Sequence, residues 1–416
     1  MIRSEREDAV PVSVSAVTVM RKPRVLFVNT RSALGADVAV HLTLIQNLNP
    51  EAVEVHIATN RNSVDFEKTL KILRSVPHLK IIVCDLGHEA SGRGKIGKFF
   101  SALKNLPACL SLLKLTLYVR KHRIDALHTT DRPRDAVFTS LLAKMTGAAA
   151  IAHIHIKWYP EIGRATTLGL KKCVKAIAIS RFTRDSLIVG GVPAEKIVTI
   201  YNATDPAIFD PAKIERGTLR RLMQIDAETP LIGIVARIMI FKGHLELIEA
   251  LAKVREVIPN VRLAIVGKAD HLGDFSGESY ADKVEKRIAE LGLNDAVYRA
   301  GWQDDTPAIM ADFDVQAVPS WEEPFGLVVT EGMALQNPIV GFASGALPEI
   351  ITSGVEGLLV PPKDSQALAA ALIELLQNAP RREQIGRAGR ARVLKDFTPQ
   401  RQAAEATDLY RALRRK

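Results

Sequence analysis

The segment EEPFGLVVTE, residues 322–331, places two glutamates, Glu323 and Glu331, eight positions apart around a Pro-Phe-Gly turn. Pro324 suits the first turn of a helix, where its missing N–H costs nothing. The helix FGLVVTEGMAL then begins near Phe325 and Gly326, and its free N–H groups and positive dipole end make a site for an anion such as phosphate. Glu323 precedes that helix and Glu331 lies two turns in, so a rise of roughly 1.5 Å per residue separates the acids by about 12 Å at most. Carboxylates at the two ends of a diphosphate could accept hydrogen bonds from sugar hydroxyls on one side and ribose hydroxyls on the other. The spacing alone also fits a glutamate complementing the dipole and an ordinary surface glutamate.

A second pair of residues sharpens the reading. Arg237 ends the apolar run LIGIVAR, and Lys242-Gly243 open the strongly periodic stretch GHLELIEAL. A cation at a strand end and another at a helix start can clamp two phosphates without a metal. Either cation alone would be an ordinary solvated side chain beside a loop. In the first half, RSALGADVAVHLTLIQNL (31–48) is a small-residue loop feeding a helix, and Gly35 would let backbone come close to a ligand. This is not the GxGxxG pattern. His128 ends one expected strand, and His153 and His155 share a face at the end of another, directed toward the expected cleft. A lone strand-end histidine is more often a satisfied polar group than a catalyst. No HExxH or histidine-carboxylate set points to a metal, and DFD (312–314) reads as a helix end running into a strand rather than a ligand pair.

These residues need elements to position them. Short β-branched runs alternate with amphipathic helical stretches almost throughout, the pattern of parallel sheets covered by helices. Strands are expected at 24–30, 53–59, 80–86, 125–130, 150–156 and 175–180, then at 231–237, 262–268, 296–301, 315–320, 338–342 and 357–362. Each half makes an α/β doubly wound domain, with a break near IVTIYNATDPAIFDP (197–211), where a strand runs into turn residues and two prolines. The expected division is a tail at 1–22, a first domain at 23–200, a second at 201–398, and a final helix at 399–416. Two such domains face one cleft at the carboxyl ends of their strands, where ligands usually sit.

Composition bounds the partners. The 416 residues are 47% hydrophobic and carry a formal charge of +10, which favours acidic partners. The three cysteines, Cys84, Cys109 and Cys173, are scattered, as reduced thiols of a cytosolic protein are. MIRSEREDAV has early acids and no apolar core of signal length, so the chain reads as cytoplasmic. The stretch RGKIGKFFSALKNLPACLSLLKLTLYVRKHR (93–123) is basic, leucine-rich and free of acids. It could lie on an anionic membrane at the inner face of the cytoplasmic membrane, or cover the first sheet with its lysines solvated. Nucleic acid is a poor alternative, because aromatics are few and no binding module is recognisable.

At this point the chain resembles the retaining glycosyltransferases of family 4, with two Rossmann-like domains in the GT-B arrangement. The resemblance runs through LGADVAVHL, DALHTT, HIHIKW, AIAISRFTRDSL, YNATDPAIFDP, IVARIMIFKGH, LAIVGK, PSWEEPFGLVVTEGMAL, GALPEII and GLLVPPKD, nearly the whole chain from about residue 24. It implies a nucleotide-sugar donor, such as a UDP- or GDP-sugar, bound mainly by the second domain. Arg237 and Lys242 would clamp its diphosphate, Glu323 and the backbone of Phe325-Gly326-Leu327 would hold the sugar, and Glu331 the ribose. His155 aligns better than His153 with the family's first-domain histidine. The resemblance further implies no metal and no cofactor, retention by same-face attack assisted by the leaving phosphate, and a final helix crossing back onto the first domain. The acceptor would be lipid-linked or a surface-polysaccharide precursor. Three positions depart from the family pattern: glycine pairs are replaced by Gly35-Ala36 and Gly345-Ala346, and a usual glycine by Gln336. A nucleotide-sugar epimerase or isomerase, or a non-catalytic nucleotide-sugar binder, would use the same scaffold.

Overall fold

The structure, a computed structural model, describes residues 21–30, 36–87, 106–130, 133–160, 164–269 and 279–415. Gly35 and the first part of the basic stretch, 93–105, lie outside the described residues. The first half runs β1 (Arg24–Asn29), α1 (Ala36–Asn47), β2 (Glu54–Asn60), α2 (Phe66–Arg74), β3 (Lys80–Cys84), α3 (Leu106–Lys121), β4 (Ala126–Thr129), α4 (Pro133–Thr146), β5 (Ala149–Ile154), α5 (Arg164–Lys172), β6 (Lys175–Ala178), α6 (Arg181–Val189) and β7 (Ile197–Thr199). The second runs α7 (Thr218–Met223), β8 (Leu231–Val235), α8 (His244–Val257), β9 (Arg262–Val266), α9 (Tyr280–Glu290), β10 (Val297–Gly301), α10 (Thr306–Met310), β11 (Val315–Val318), α11 (Leu327–Ala334), β12 (Ile339–Phe342), α12 (Leu347–Ile350), β13 (Gly357–Val360), α13 (Ser365–Gln377), α14 (Ala379–Asp396) and α15 (Pro399–Ala412).

Every strand expected from sequence is present, with ends shifted by one or two residues and most often shorter at the carboxyl end. The strands form two wholly parallel sheets, ordered β3-β2-β1-β4-β5-β6-β7 and β10-β9-β8-β11-β12-β13. Such sheets are covered on both faces, which is why strands like IVGF and ALHT are buried along their whole length. In each sheet the order reverses beside the first strand, between β1 and β4 and between β8 and β11. The crevices at those two reversals are where ligands enter sheets of this kind.

The pair DFD has the structural role expected of it. Asp312 accepts from the backbone N–H groups of Gly217, Leu219 and Arg220, capping α7, while Asp314 holds Arg220 at 2.8 Å and the Leu231 N–H at 2.8 Å. Thr398 caps α15 by accepting from the Arg401 N–H, with Pro399 in the first turn. That helix returns to the first sheet, where Ala403, Ala406, Leu409 and Tyr410 join Val25, Phe27 and Leu44 in one core. The chain therefore passes between the sheets twice, after β7 and at Phe397–Thr398, and the Thr204 N–H donates to the Phe397 carbonyl at 2.9 Å where the passages meet. Among the described residues no helix is long and apolar enough to cross a membrane.

Candidate active site

Two loops build one wall. After β8 the chain passes Ala236 and Arg237, makes a single 3₁₀ turn at Ile240–Lys242 and enters α8 through Gly243. After β11 it runs through Ser320 and the Glu-Glu-Pro-Phe-Gly turn into α11, whose first residue is Leu327. Gly326 caps that helix at φ 94°, a left-handed conformation that explains glycine there. The loops are tied together by the Trp321 N–H donating to the Phe241 carbonyl at 2.9 Å. The result is a direct ion pair, Lys242 Nζ to Glu323 Oε2, at 2.6 Å, with both side chains mostly buried.

Gly345 supports the acid from behind. Its φ is +60°, and a Cβ there would stand 2.4 Å from the backbone N and O of Glu323. Ala346, by contrast, sits at an ordinary φ of −85° and donates its N–H to the Glu323 carbonyl at 2.8 Å. Of the departing glycine pair, only the first member needs glycine, and it has kept it. Gln336 is the opposite case, a residue with a Cβ holding φ +64°.

A cavity of about 260 Å³ brings the sequence-selected residues together: its lining includes His155, Arg237, Lys242, Glu323, Phe325, Gly326 and Leu327. Glu331 is not in that lining. It lies one turn beyond Leu327 on the same face of α11, and burial pushes its carboxyl up to about 7. No side-chain partner is found for it among the described residues.

The opposite wall comes from the first domain. His155 follows β5 directly, and behind it stand the rings of His153 at 4.4 Å and His41 at 5.4 Å. His128 stacks on Phe27, bonds the Tyr410 hydroxyl through Nδ1 at 2.7 Å and meets His153 Nδ1 through Nε2 at 3.2 Å. So His128 and His153 are internal, and His155 is the histidine that meets the cavity. Burial pushes His41 down to about 3 and holds His128 and His153 far below the ordinary histidine range, so all three are neutral. Ligand nitrogens of His41, His128 and His153 lie within 4.8 Å of one another, the grouping best placed among the described residues to hold a metal. It has no thiolate or carboxylate, and His128 already spends both nitrogens on protein partners.

Sequence reasoning missed several contributors. Asn202 lines the cavity with its Oδ1 buried and without a partner. Ser180 caps α6 and also donates to the Pro324 carbonyl at 2.6 Å, gripping the glutamate turn from the other domain. Glu349 of the second domain accepts from the Arg181 and Phe182 N–H groups at 2.8 and 2.7 Å, at the start of that same helix. Lys157 pairs with Glu322 at 2.6 Å across the cleft. Only the N-cap pattern of Ser180 carries a local signal; the partners lie more than 140 residues away.

Residues 215–392 match the family model for glycosyl transferases group 1, and residues 38–208 match that for glycosyltransferase family 4. The chain belongs to the family 4, group 1 glycosyltransferases. Among curated relatives, it is 34% identical over 211 residues to a D-inositol 3-phosphate glycosyltransferase of Corynebacterium aurimucosum, covering 50% of this chain and 49% of that one. It is also 34% identical over 231 residues to the MMP alpha-(1->4)-mannosyltransferase of Mycolicibacterium hassiacum, covering 54% and 51%. These matches span about half the length of each curated relative. The fold is that of Anabaena HepE, solved in complex with UDP (20% identity, 94% of this chain and 100% of that one, TM-score 0.73). It is equally that of sucrose-phosphate synthase from Thermosynechococcus elongatus (22% identity, 94% and 99%, TM-score 0.72). The two parallel domains are thus the Rossmann-like pair of a GT-B protein.

Proposed function

We propose that the chain transfers a sugar from a nucleoside-diphosphate sugar to an acceptor, with retention of anomeric configuration and without a metal. The observation that carries the reading is the Lys242–Glu323 pair at the start of α11, in one cavity with Arg237 and His155. A diphosphate entering there takes Lys242 as its partner, and Glu323 is released to accept hydrogen bonds from the sugar. As the nucleoside diphosphate departs, charge builds on its β-phosphate, and Lys242, Arg237 and the first N–H groups of α11 oppose that charge. Glu331, with no side-chain partner among the described residues, would accept from ribose hydroxyls. That Anabaena HepE was solved with UDP agrees with a nucleoside-diphosphate donor.

Retention is inferred from the family resemblance, and the acids bear on its route. Among the described residues, Glu323 is the one carboxylate lining the cavity, and the sugar hydroxyls engage it once Lys242 turns to the diphosphate. A same-face attack, with the leaving phosphate taking the acceptor's proton, fits that arrangement better than a covalent intermediate. The acceptor is proposed to be lipid-linked, in glycolipid or surface-polysaccharide synthesis at the inner face of the cytoplasmic membrane.

The test is a panel of UDP- and GDP-sugars, following nucleoside diphosphate release with and without a lipid extract. The wild type should release diphosphate from one donor, faster with extract, and Lys242→Ala, Arg237→Ala and Glu323→Ala should each lower the rate by about 10²-fold or more. Turnover of donor to an isomeric nucleotide sugar without acceptor would mean an isomerase instead. No turnover and no thermal stabilisation by any donor or nucleotide would overturn the site.

A further inference from the structure

Three helices, α3, α4 and α5, lie side by side over one face of the first sheet. Leu115 and Val119 of α3 and Leu142 of α4 point inward to Leu26, Val28 and Leu127, and Leu170 of α5 packs on Ala150 and Ala152. With those residues facing the sheet, the opposite sides of the helices face outward, and they are not polar. Leu106, Leu110, Leu113 and Leu117 recur at spacings of four, three and four and are 64%, 72%, 53% and 60% exposed. Leu141 of α4 and Leu168 of α5 extend the same layer, also exposed.

The charges around this stripe have one sign. Lys114, Arg120, Lys121, Lys144, Lys171 and Lys172 are exposed on the same three helices. Across the described residues of these helices the one acid is Asp135, which is fully buried. The opposite face of the sheet differs: its helices α1, α2 and α15 include Glu67, Glu405 and Asp408 beside their bases.

We propose that this face is a membrane-docking surface, which lies on an anionic bilayer with the leucines among the acyl chains and the lysines at the headgroups. The chemistry selects that occupant. Contiguous apolar patches of this extent are uncommon on monomers and mark interaction sites, and leucines rimmed by long cationic side chains fit the headgroup boundary. A second copy placed face to face would set six cations against six. Single-stranded nucleic acid would want aromatic platforms, and the outward residues are leucines. The sequence pointed to 93–123, of which α3 is the described helix; the structure adds α4 and α5 and shows which side is exposed among the described residues. The inference deepens the proposed lipid-linked acceptor, but it concerns a surface distinct from the donor cavity and is tested separately.

The experiment is flotation of the full chain with vesicles of phosphatidylcholine alone and of phosphatidylcholine with phosphatidylglycerol, at low and high salt and without donor. The wild type should bind the anionic vesicles at least tenfold better than the neutral ones, and salt should weaken it. The triple variant Leu110→Ser/Leu113→Ser/Leu117→Ser should lower binding at least tenfold. Lys114→Gln/Lys121→Gln/Lys144→Gln should do the same and abolish the salt dependence; being wholly surface changes, they keep the test valid if the leucine variant misfolds. Wild-type binding that ignores lipid charge, or variants that bind as well as wild type, would overturn the proposal. So would a wild-type dimer that the leucine variant dissolves, since the face would then join two copies. Donor-induced thermal stabilisation, measured without vesicles, should be unchanged in both variants; its loss in the wild type would fault the donor site and leave the surface standing.

Discussion

On the second-domain side of the cavity, the working groups are charged and held by backbone: Lys242 on Glu323, Gly345 against the Glu323 peptide, Gly326 opening α11. On the first-domain side His155 is backed by rings that hold one another, those of His41, His128 and His153, packed with Phe27 and Tyr410 and kept neutral by burial. One wall is built to meet a changing charge. The other rests on buried, uncharged rings behind His155. The contrast teaches that the two halves, alike in topology, should fail under different insults.

The largest expected difference is in acid. Burial holds His41, His56, His128 and His153 of the first domain below their unfolded value of 6.5, against His244 in the second. Depressed histidines contribute stability that is complete above pH 6.5 and is lost as pH falls, because the unfolded chain binds the protons first. Each proton is worth about 1.4 kcal/mol per pH unit, so the first domain should open ahead of the second between pH 6.5 and 5. Hydrogen exchange read peptide by peptide checks this, and equal loss of protection in both domains would break the comparison.

Gly345→Ala attacks the other wall. A Cβ at positive φ against the Glu323 backbone should cost about 2–4 kcal/mol and lower donor affinity about tenfold or more. Ala346→Gly, one residue on, should cost less than about 1 kcal/mol. Urea unfolding and donor titration compare the two, and equal effects would deny the backbone support its role. Glu331→Gln has a sign that depends on pH. A carboxyl raised from 4.5 to about 7 binds its proton more tightly folded than unfolded, so the wild type loses stability as pH rises from 4.5 to 7. The glutamine variant should match it near pH 4.5 and exceed it by up to about 3 kcal/mol at pH 8. A smaller gain is expected at another site: Gln336→Gly should relieve the left-handed strain by about 1 kcal/mol, seen as a raised Tm.

This asymmetry also governed what could be read from sequence. Arg237, Lys242, Glu323 and the Phe325–Leu327 turn were legible because each cluster is contiguous and sits where a strand passes into a helix. The sheets were legible because fully buried parallel strands are unbroken apolar runs. The histidine cluster was not, since its members come from three separate segments and each looks like any strand-end or helix histidine alone. His41 gave no sign, and Asn202 is an ordinary turn residue until its buried oxygen is seen to lack a partner. The clasp of Ser180 on Pro324 joins positions 144 apart, where spacing says nothing.

The double passage of the chain between the sheets has a mechanical consequence. Two covalent links lying side by side and hydrogen-bonded at Thr204 and Phe397 act as the two leaves of a door hinge rather than as a tether. A single link would let the halves twist, slide or part; a pair leaves chiefly a swing about the line they define. Cleft width then becomes nearly a single coordinate, and on it lie the Lys157–Glu322 pair and the Ser180 and Glu349 clasps, which must release together for the door to open.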